Sequence, residues 1–379
     1  MQDSREAKKT IDVIAVGQTP PPVHGQAIMI KMLLDGKMEG VRLHHIRMGF
    51  SENMDQVGRV QFGKVFHLVS LILQIWFARF RYGATILYYP PAGANRVPVY
   101  RDILLLLSTR WIFRKTIFHF HAGGVSELIP TLRQPIRFLA QLALFKPSSA
   151  IQLSELTVAD GVGLKAKKIF IVPNAAYDDA AELGWRPEDR KGASIRNLLY
   201  VGTVCEGKGV LLLLEACKRL EQAGIDFHLY VVGSYKPSDF ESTVRDFIQA
   251  NKLDLHVTLH GQKTGKEKLN IFAKADIFCF PSHYAAEGFP CVLLEAMCFA
   301  LPIISTLWRG IPSIVDDRRT GILIPLHDVD GLFKSLQEML SNTDQTRGMG
   351  RLGRDKFLAL YSTEQHLQQM RNVFIDTAD

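Results

Sequence analysis

Two series of short β-rich runs, each alternating with helix-length amphipathic stretches and parted by one polar segment, predict an α/β protein of two parallel, doubly wound sheets. With 379 residues, 47% of them hydrophobic, the chain exceeds one ordinary domain and has apolar material for two cores. Neither a low-complexity tract nor a short-period repeat interrupts it.

The first series places strands near Ile11–Val16, Thr85–Tyr89, Thr116–His121, Ala150–Leu153 and Ile169–Val172. The stretch Ala180–Asn197 (AAELGWRPEDRKGASIRN) is polar and contains Gly184, Pro187 and Gly192, which suits a linker. This puts a first domain at 1–182, the linker at 183–197 and a second domain at 198–361. The second series has strands near Leu198–Val201, His228–Val232, Val257–Leu259, Ile277–Pro281, Ile303–Thr306 and Ile322–Ile324. Two Rossmann-like halves are expected to face each other, and ligands of open sheets sit beyond the carboxyl ends of the strands. A ligand gripped by both halves then belongs in the cleft between them.

All five cysteines (Cys205, Cys217, Cys279, Cys291, Cys298) lie in the second half, and none forms a CxxC pair. Reduced structural thiols and a cytoplasmic setting are expected, not a disulfide framework or a zinc site. The segment MQDSREAKKTIDVIAVG lacks the apolar stretch and small-residue cleavage site of a signal peptide, so no export is expected.

The net charge of +7 is uneven: residues 1–180 hold 22 Lys and Arg against 13 Asp and Glu. Such a field suits nucleic acid or anionic lipid. No nucleic-acid module signature is visible, which favours lipid. Val65–Ala78 (VFHLVSLILQIWFA) has no charged residue but is shorter than the roughly 20 residues that span a bilayer. Flanked by Lys64, Arg79 and Arg81 and carrying Trp76 and Phe77, it reads either as a buried helix or as one lying at the head-group level; Tyr100–Lys115 offers a second such segment.

Leu199–Ala216 (LYVGTVCEGKGVLLLLEA) is a strand, a turn holding Gly202, Thr203 and Lys208 between Gly207 and Gly209, then an apolar helix. Glycines let backbone amides approach phosphate oxygens, the helix start adds a favourable dipole, and the lysine supplies a point charge. In Phe280–Met297 (FPSHYAAEGFPCVLLEAM), Glu287 precedes a helix in a loop shaped by Gly288, Phe289 and Pro290, whereas Glu295 lies within that helix. A carboxylate accepts paired sugar hydroxyls, and the amides of Cys291, Val292 and Leu293 at the helix start are candidates for a diphosphate.

The ordered set GTVCEGKG, VVG, ADIFCFPS, EGFPCVLLEAM, LPIIST and TGILIP over Leu198–Leu332 resembles the family-4 retaining glycosyltransferases of the GT-B fold, the glycosyl transferases of group 1. The resemblance implies two Rossmann-like domains facing across a cleft, a nucleoside-diphosphate sugar as donor, and no tightly bound cofactor. By it, Glu287 contacts donor-sugar hydroxyls, Glu295 the nucleotide ribose, and Lys208 the diphosphate. Pro20–Ala27 (PPPVHGQA) resembles the family's glycine-rich loop over the donor phosphates, with Gly25 as the candidate; a plain strand-to-helix turn is the alternative. Ser362–Thr377 has a helical pattern that by the resemblance crosses back to the first domain.

His119 and His121 flank Phe120, and period-2 geometry points both imidazoles to one face. No third ligand accompanies them as a metal set would need. The resemblance favours His121 near the donor sugar and leaves His119 packed within the sheet; a structural histidine is the alternative for either. Many family members have an arginine where Thr203 follows Gly202, so Lys208 is expected to act with backbone amides and another basic residue, such as Arg309. Asp328-Val329-Asp330 is read as a helix cap, not a metal-binding pair, and no metal is required.

The expected activity is transfer of a hexosyl or N-acetylhexosaminyl group, with retention, to an acceptor hydroxyl. The basic, apolar-helix-rich first half points to a lipid-linked or membrane-adjacent glycan in surface polysaccharide assembly, with peripheral contact to anionic membrane and no nucleic acid. A sugar-nucleotide epimerase or hydrolase, and a non-catalytic scaffold favoured by Thr203, are the rival readings.

Overall fold

The computed structural model describes residues 10–21, 24–49, 62–157, 159–190, 196–285 and 287–379, the side chains of 62–65 excepted. Part of the expected linker (191–195) and the first nine residues lie outside the described residues, as do Pro22 and Val23 of the expected phosphate loop.

The chain divides into two compact units, Met1–Asn174 with Glu364–Asp379, and Ala175–Thr363. In the first unit a six-stranded sheet is built from β1 (Ile11–Gly17), β2 (Val41–Arg47), β3 (Ile86–Tyr89), β4 (Lys115–His119), β5 (Ser149–Gln152) and β6 (Lys168–Ile171), in the order β2-β1-β3-β4-β5-β6. Every strand pair is parallel. Alternate residues feed two cores, as the strand period requires: Ile14 and Val16 pack with Leu71, Ile103 and Leu144 on one face, and Val13 and Ala15 with Met370, Val373 and Phe374 on the other. The terminal helix Thr363–Ala378 thus completes the first unit's second core.

β2 has no counterpart among the expected strands. It is an edge strand, VRLHHIR, in which only Ile46 is buried, so the apolar run that marks the central strands is missing. The segment Tyr100–Lys115 is not one interfacial helix: helix Arg96–Thr109 ends in a 3-10 turn at Arg110–Ile112, and β4 begins at Lys115. Val65–Ala78 falls inside helix Phe62–Tyr82, which buries Leu71, Ile75 and Ala78 while exposing its other side. Among the described residues no helix is long and apolar enough to cross a membrane.

The second unit's sheet comprises β7 (Asn197–Val201), β8 (His228–Val232), β9 (Val257–Gly261), β10 (Ile277–Phe280), β11 (Ile303–Thr306) and β12 (Gly321–Ile324), in the order β12-β11-β10-β7-β8-β9. All its pairs are parallel too. The strand order reverses between β7 and β10, so the loops leaving those two strands frame the crevice where such sheets bind ligands.

The chain enters this unit earlier than the polar segment 183–197 suggests. Arg354 grips Asp178 through two 2.7 Å bonds, the Ala180 N–H donates to Cys298 Sγ at 3.4 Å, and Arg190 donates to the Phe299 and Ala300 carbonyls. Arg190, within the expected linker, is thus a docking group, a role composition does not distinguish from that of a linker. Asp328 caps helix Val329–Ser341 by accepting from the Gly331 N–H at 2.8 Å, and Asp330 pairs with Arg219.

Candidate functional site

From β7 the chain passes Gly202 and the exposed Thr203, forms a 3-10 turn at Glu206–Lys208, and enters helix Val210–Gln222. Gly209, at φ 77°, forms the joint; a Cβ there would lie 2.1 Å from the Pro281 carbonyl oxygen. Only glycine lets the two loops approach so closely. The His283 N–H donates to the Gly207 carbonyl at 2.8 Å and fastens them a second time.

The loop after β10 is held from three further directions. Ser305 Oγ donates to the Phe280 carbonyl at 2.5 Å, Thr306 Oγ1 donates to that of Ser282, and Trp308 Nε1 donates to that of Tyr284 at 2.8 Å. Gly310 sits where a Cβ would come 1.9 Å from the Gly288 carbonyl oxygen. The outcome is a fixed position for Glu287, which is 6% exposed.

Lys208 and Glu287, predicted for different parts of a donor, meet directly. Lys208 Nζ donates to Glu287 Oε2 at 2.5 Å, and Ser282 Oγ donates to the same oxygen at 2.7 Å. The ammonium also lies 5.1 Å from the Phe280 ring centre and 5.0 Å from that of Tyr284, within cation–π range. A largely buried charge needs such compensation. This arrangement offers a cation for an anionic group and a carboxylate for hydroxyls within one hydrogen bond of each other.

Glu295, inside helix Cys291–Cys298, is paired with Lys268 at 2.7 Å. Asp179 lies near enough that burial and then the Glu295 charge raise its carboxyl to about 6. Sequence reasoning missed Lys268, Asp179, Ser282 and Tyr284. Ser282 stood in the FPS motif, but nothing local marks Lys268, which meets its partner across 27 positions.

Two expectations for the helix start change. The Leu293 N–H donates to the Pro290 carbonyl at 3.1 Å, so it is already satisfied. The Phe289 ring is buried and packs edge-on against Tyr361 at 5.9 Å, which leaves the backbone of Gly288, Phe289 and Pro290 as the polar surface there. Arg309 stacks over Trp308 at 5.2 Å.

In the first unit Gly25 opens helix Gly25–Asp35, and His24 caps it by accepting from the Ala27 N–H at 3.4 Å. His119 and His121 do share a face, their rings 4.0 Å apart. His119 is buried and hydrogen-bonds the Tyr88 hydroxyl at 2.7 Å. His121, just past β4, contacts Asn174 Oδ1 at 3.3 Å, while its Nε2 is buried with no hydrogen-bond partner. Burial first, then His366, and more weakly His24, push the His121 imidazole down to about 3. It is therefore neutral at physiological pH and stands close to the Gly25 loop. Among the described residues no three His, Cys, Asp or Glu converge as a metal set.

Residues 186–356 match the family model for glycosyl transferases group 1. The chain is 29% identical over 274 residues to the amylovoran biosynthesis glycosyltransferase AmsK of Erwinia amylovora, covering 66% of this chain and 65% of that one. It is 30% identical over 164 residues to the putative colanic acid biosynthesis glycosyltransferase WcaL of Escherichia coli K12, covering 42% and 40%. The chain thus spans less than two thirds of these relatives' length. A glycosyltransferase structure from Rickettsia africae superposes with a TM-score of 0.74 at 16% identity, over 98% of this chain and 99% of that one. Anabaena HepE in complex with UDP and glucose superposes with 0.68 at 12%, over 97% and 100%. The fold is that of the two-domain GT-B glycosyltransferases, and residues 186–356 are similar to the glycosyl transferases of group 1.

Proposed function

We propose a retaining transfer of a hexosyl or N-acetylhexosaminyl group from a nucleoside-diphosphate sugar to an acceptor hydroxyl, a reading supported by the match of residues 186–356 to the group 1 family model. The observation that carries this reading is the Lys208–Glu287 pair, set by two interlocked loops at the strand-order reversal of the second sheet. Lys208 and the start of helix Cys291–Cys298 receive the diphosphate without a metal, Gly202 and Thr203 border it, and Glu295 receives the ribose. Glu287 holds donor hydroxyls near the reacting carbon, while Gly25 and the neutral His121 are the first unit's contributions.

The bond between the anomeric carbon and the diphosphate oxygen breaks, its electron pair leaving with the diphosphate, as the acceptor oxygen bonds to the same face, and the acceptor proton passes to the departing phosphate. Glu287 orients and stabilises; it forms no covalent bond. The acceptor is a lipid-linked or membrane-adjacent glycan of surface polysaccharide assembly, met at the inner, cytoplasmic face of the membrane. AmsK and WcaL, named for amylovoran and colanic acid synthesis, support that choice of acceptor class.

The test is a thermal-shift screen of UDP, GDP, ADP, dTDP and CMP with their sugars, followed by product analysis. A selective shift lost in Lys208→Ala places the donor as proposed. Wild-type turnover by Glu287→Gln would remove that residue's role. Donor consumed without an acceptor product identifies an epimerase or hydrolase, and no shift with any nucleotide identifies a scaffold.

A further inference from the structure

Helix Phe62–Tyr82 leaves Phe66, Val69, Leu73, Phe77 and Phe80 each more than half exposed. Their spacing of three and four residues forms one stripe along the helix. The stripe continues onto the neighbouring turn: the Trp76 ring meets Trp111 edge-on at 5.2 Å, Arg79 Nε donates to the Ile112 carbonyl at 3.0 Å, and Trp111 is itself 67% exposed.

Beside Trp111 opens a cavity of about 360 Å³, lined among others by Arg110, Arg114, Leu142, Lys146 and Lys167. None of its lining residues is acidic. Arg110 is fixed in the wall by donating to the Ala143 and Lys146 carbonyls, each at 2.8 Å, which commits only part of its five-donor fork. Arg114 and Lys167 immediately precede β4 and β6, so the cavity lies at the amino end of the sheet. His121 stands beyond the other end of β4, roughly 16 Å along the strand. Within the first unit the cavity is therefore separate from His121.

Charge identifies what covers this surface. Residues 56–154, which include the striped helix and most of the cavity, hold 12 Lys and Arg against two acids, Asp102 and Glu127. Asp102 is buried and bound to Arg101. An apolar stripe bordered by tryptophan and by uncompensated cations matches the interface of an anionic bilayer, where rings enter the acyl boundary and cations meet phosphates.

We propose that the Arg110–Arg114–Lys146–Lys167 cavity seats the phosphate head group of an anionic phospholipid while the Phe66–Phe80 stripe and Trp111 enter the bilayer surface. This rests on the membrane-adjacent reading given above and supplies its docking surface. The helix lies along the membrane, and lipid composition sets how much protein is bound.

The experiment is co-sedimentation of the full chain with vesicles of phosphatidylcholine alone or mixed with phosphatidylglycerol. The wild type is expected on the mixed vesicles and released by high salt. Arg114→Ser with Lys167→Ser, at exposed positions, is expected to bind mixed vesicles about thirtyfold more weakly, from the loss of two surface cations. Phe77→Ser with Phe80→Ser is expected to weaken binding to both vesicle types. Both double variants should keep the wild-type melting temperature and its shift by nucleotide, so failure of the donor reading would show only in the nucleotide measurement. Unchanged binding of the charge variant to mixed vesicles overturns the proposal. So does stabilisation by soluble glycerol phosphate as large as that by vesicles, because the cavity would then take a free anion.

Discussion

Lys208→Ala leaves Glu287, its side chain 7% exposed, with the Ser282 hydroxyl but without its counter-charge. At 2.5 Å the pair's attraction is about 6–7 kcal/mol for an effective dielectric of about 20, and desolvation offsets much of it. Removing one partner of a buried pair costs about 3–5 kcal/mol. The Lys208 side chain is 17% exposed, which admits water and favours the lower figure, about 3 kcal/mol. For a unit of this size that lowers Tm by about 6–12 °C. Lys208→Ala combined with Glu287→Gln removes both charges and is expected within about 1 kcal/mol of wild type; with Glu287→Gln alone close to wild type, the double-mutant cycle gives a coupling of about 2 kcal/mol. Urea unfolding of the four proteins, followed by fluorescence of Trp308, whose indole is bonded to the same loop, measures it. A coupling below about 0.5 kcal/mol would refute the claim that each charge holds the other in place.

Gly209→Ala should remove the nucleotide-induced thermal shift while leaving a folded protein, because the new Cβ displaces the Lys208 turn from Pro281; a normal shift in the variant counts against the interlocked loops. Burial drives His366 down to about 4, so the unfolded state binds a proton that the folded state refuses as pH falls below about 6.5. Its contribution is complete above that pH and lost towards pH 4, by up to about 3 kcal/mol, and His366→Gln should make the first unit's stability profile shallower between those limits, leaving the slope due to His119 and His121, when urea midpoints are measured against pH. Phe374→Ala empties a fully buried ring site against Tyr88 and should cost about 3–5 kcal/mol by urea melting; a cost below about 1 kcal/mol would mean the terminal helix is not part of that core.

The central strands were legible because burial on both faces leaves unbroken apolar runs such as Ile277–Phe280. β2 was not, because an edge strand keeps polar side chains such as His44 and His45. At the site, the loop glycines and Glu287 announced themselves through local context. Their pairing did not, since Lys208 and Glu287 are 79 positions apart and meet only when β7 and β10 become neighbours. The Lys268–Glu295 pair was hidden for the same reason. The exposed side of helix Phe62–Tyr82 required knowing which of its apolar residues the sheet had already covered.

The tight joints at Gly209 and Gly310 also divide the surrounding loops into positions open to variation and positions closed to it. At each, a neighbour's carbonyl oxygen occupies the volume that any side chain would need. A library built to alter what this unit accepts should therefore hold both glycines constant and spend its diversity on Thr203, Tyr284, Ala285 and Leu307, whose side chains are exposed. Randomising the two joints would fill the library with members whose loops are pushed apart, without widening the range of useful shapes it samples.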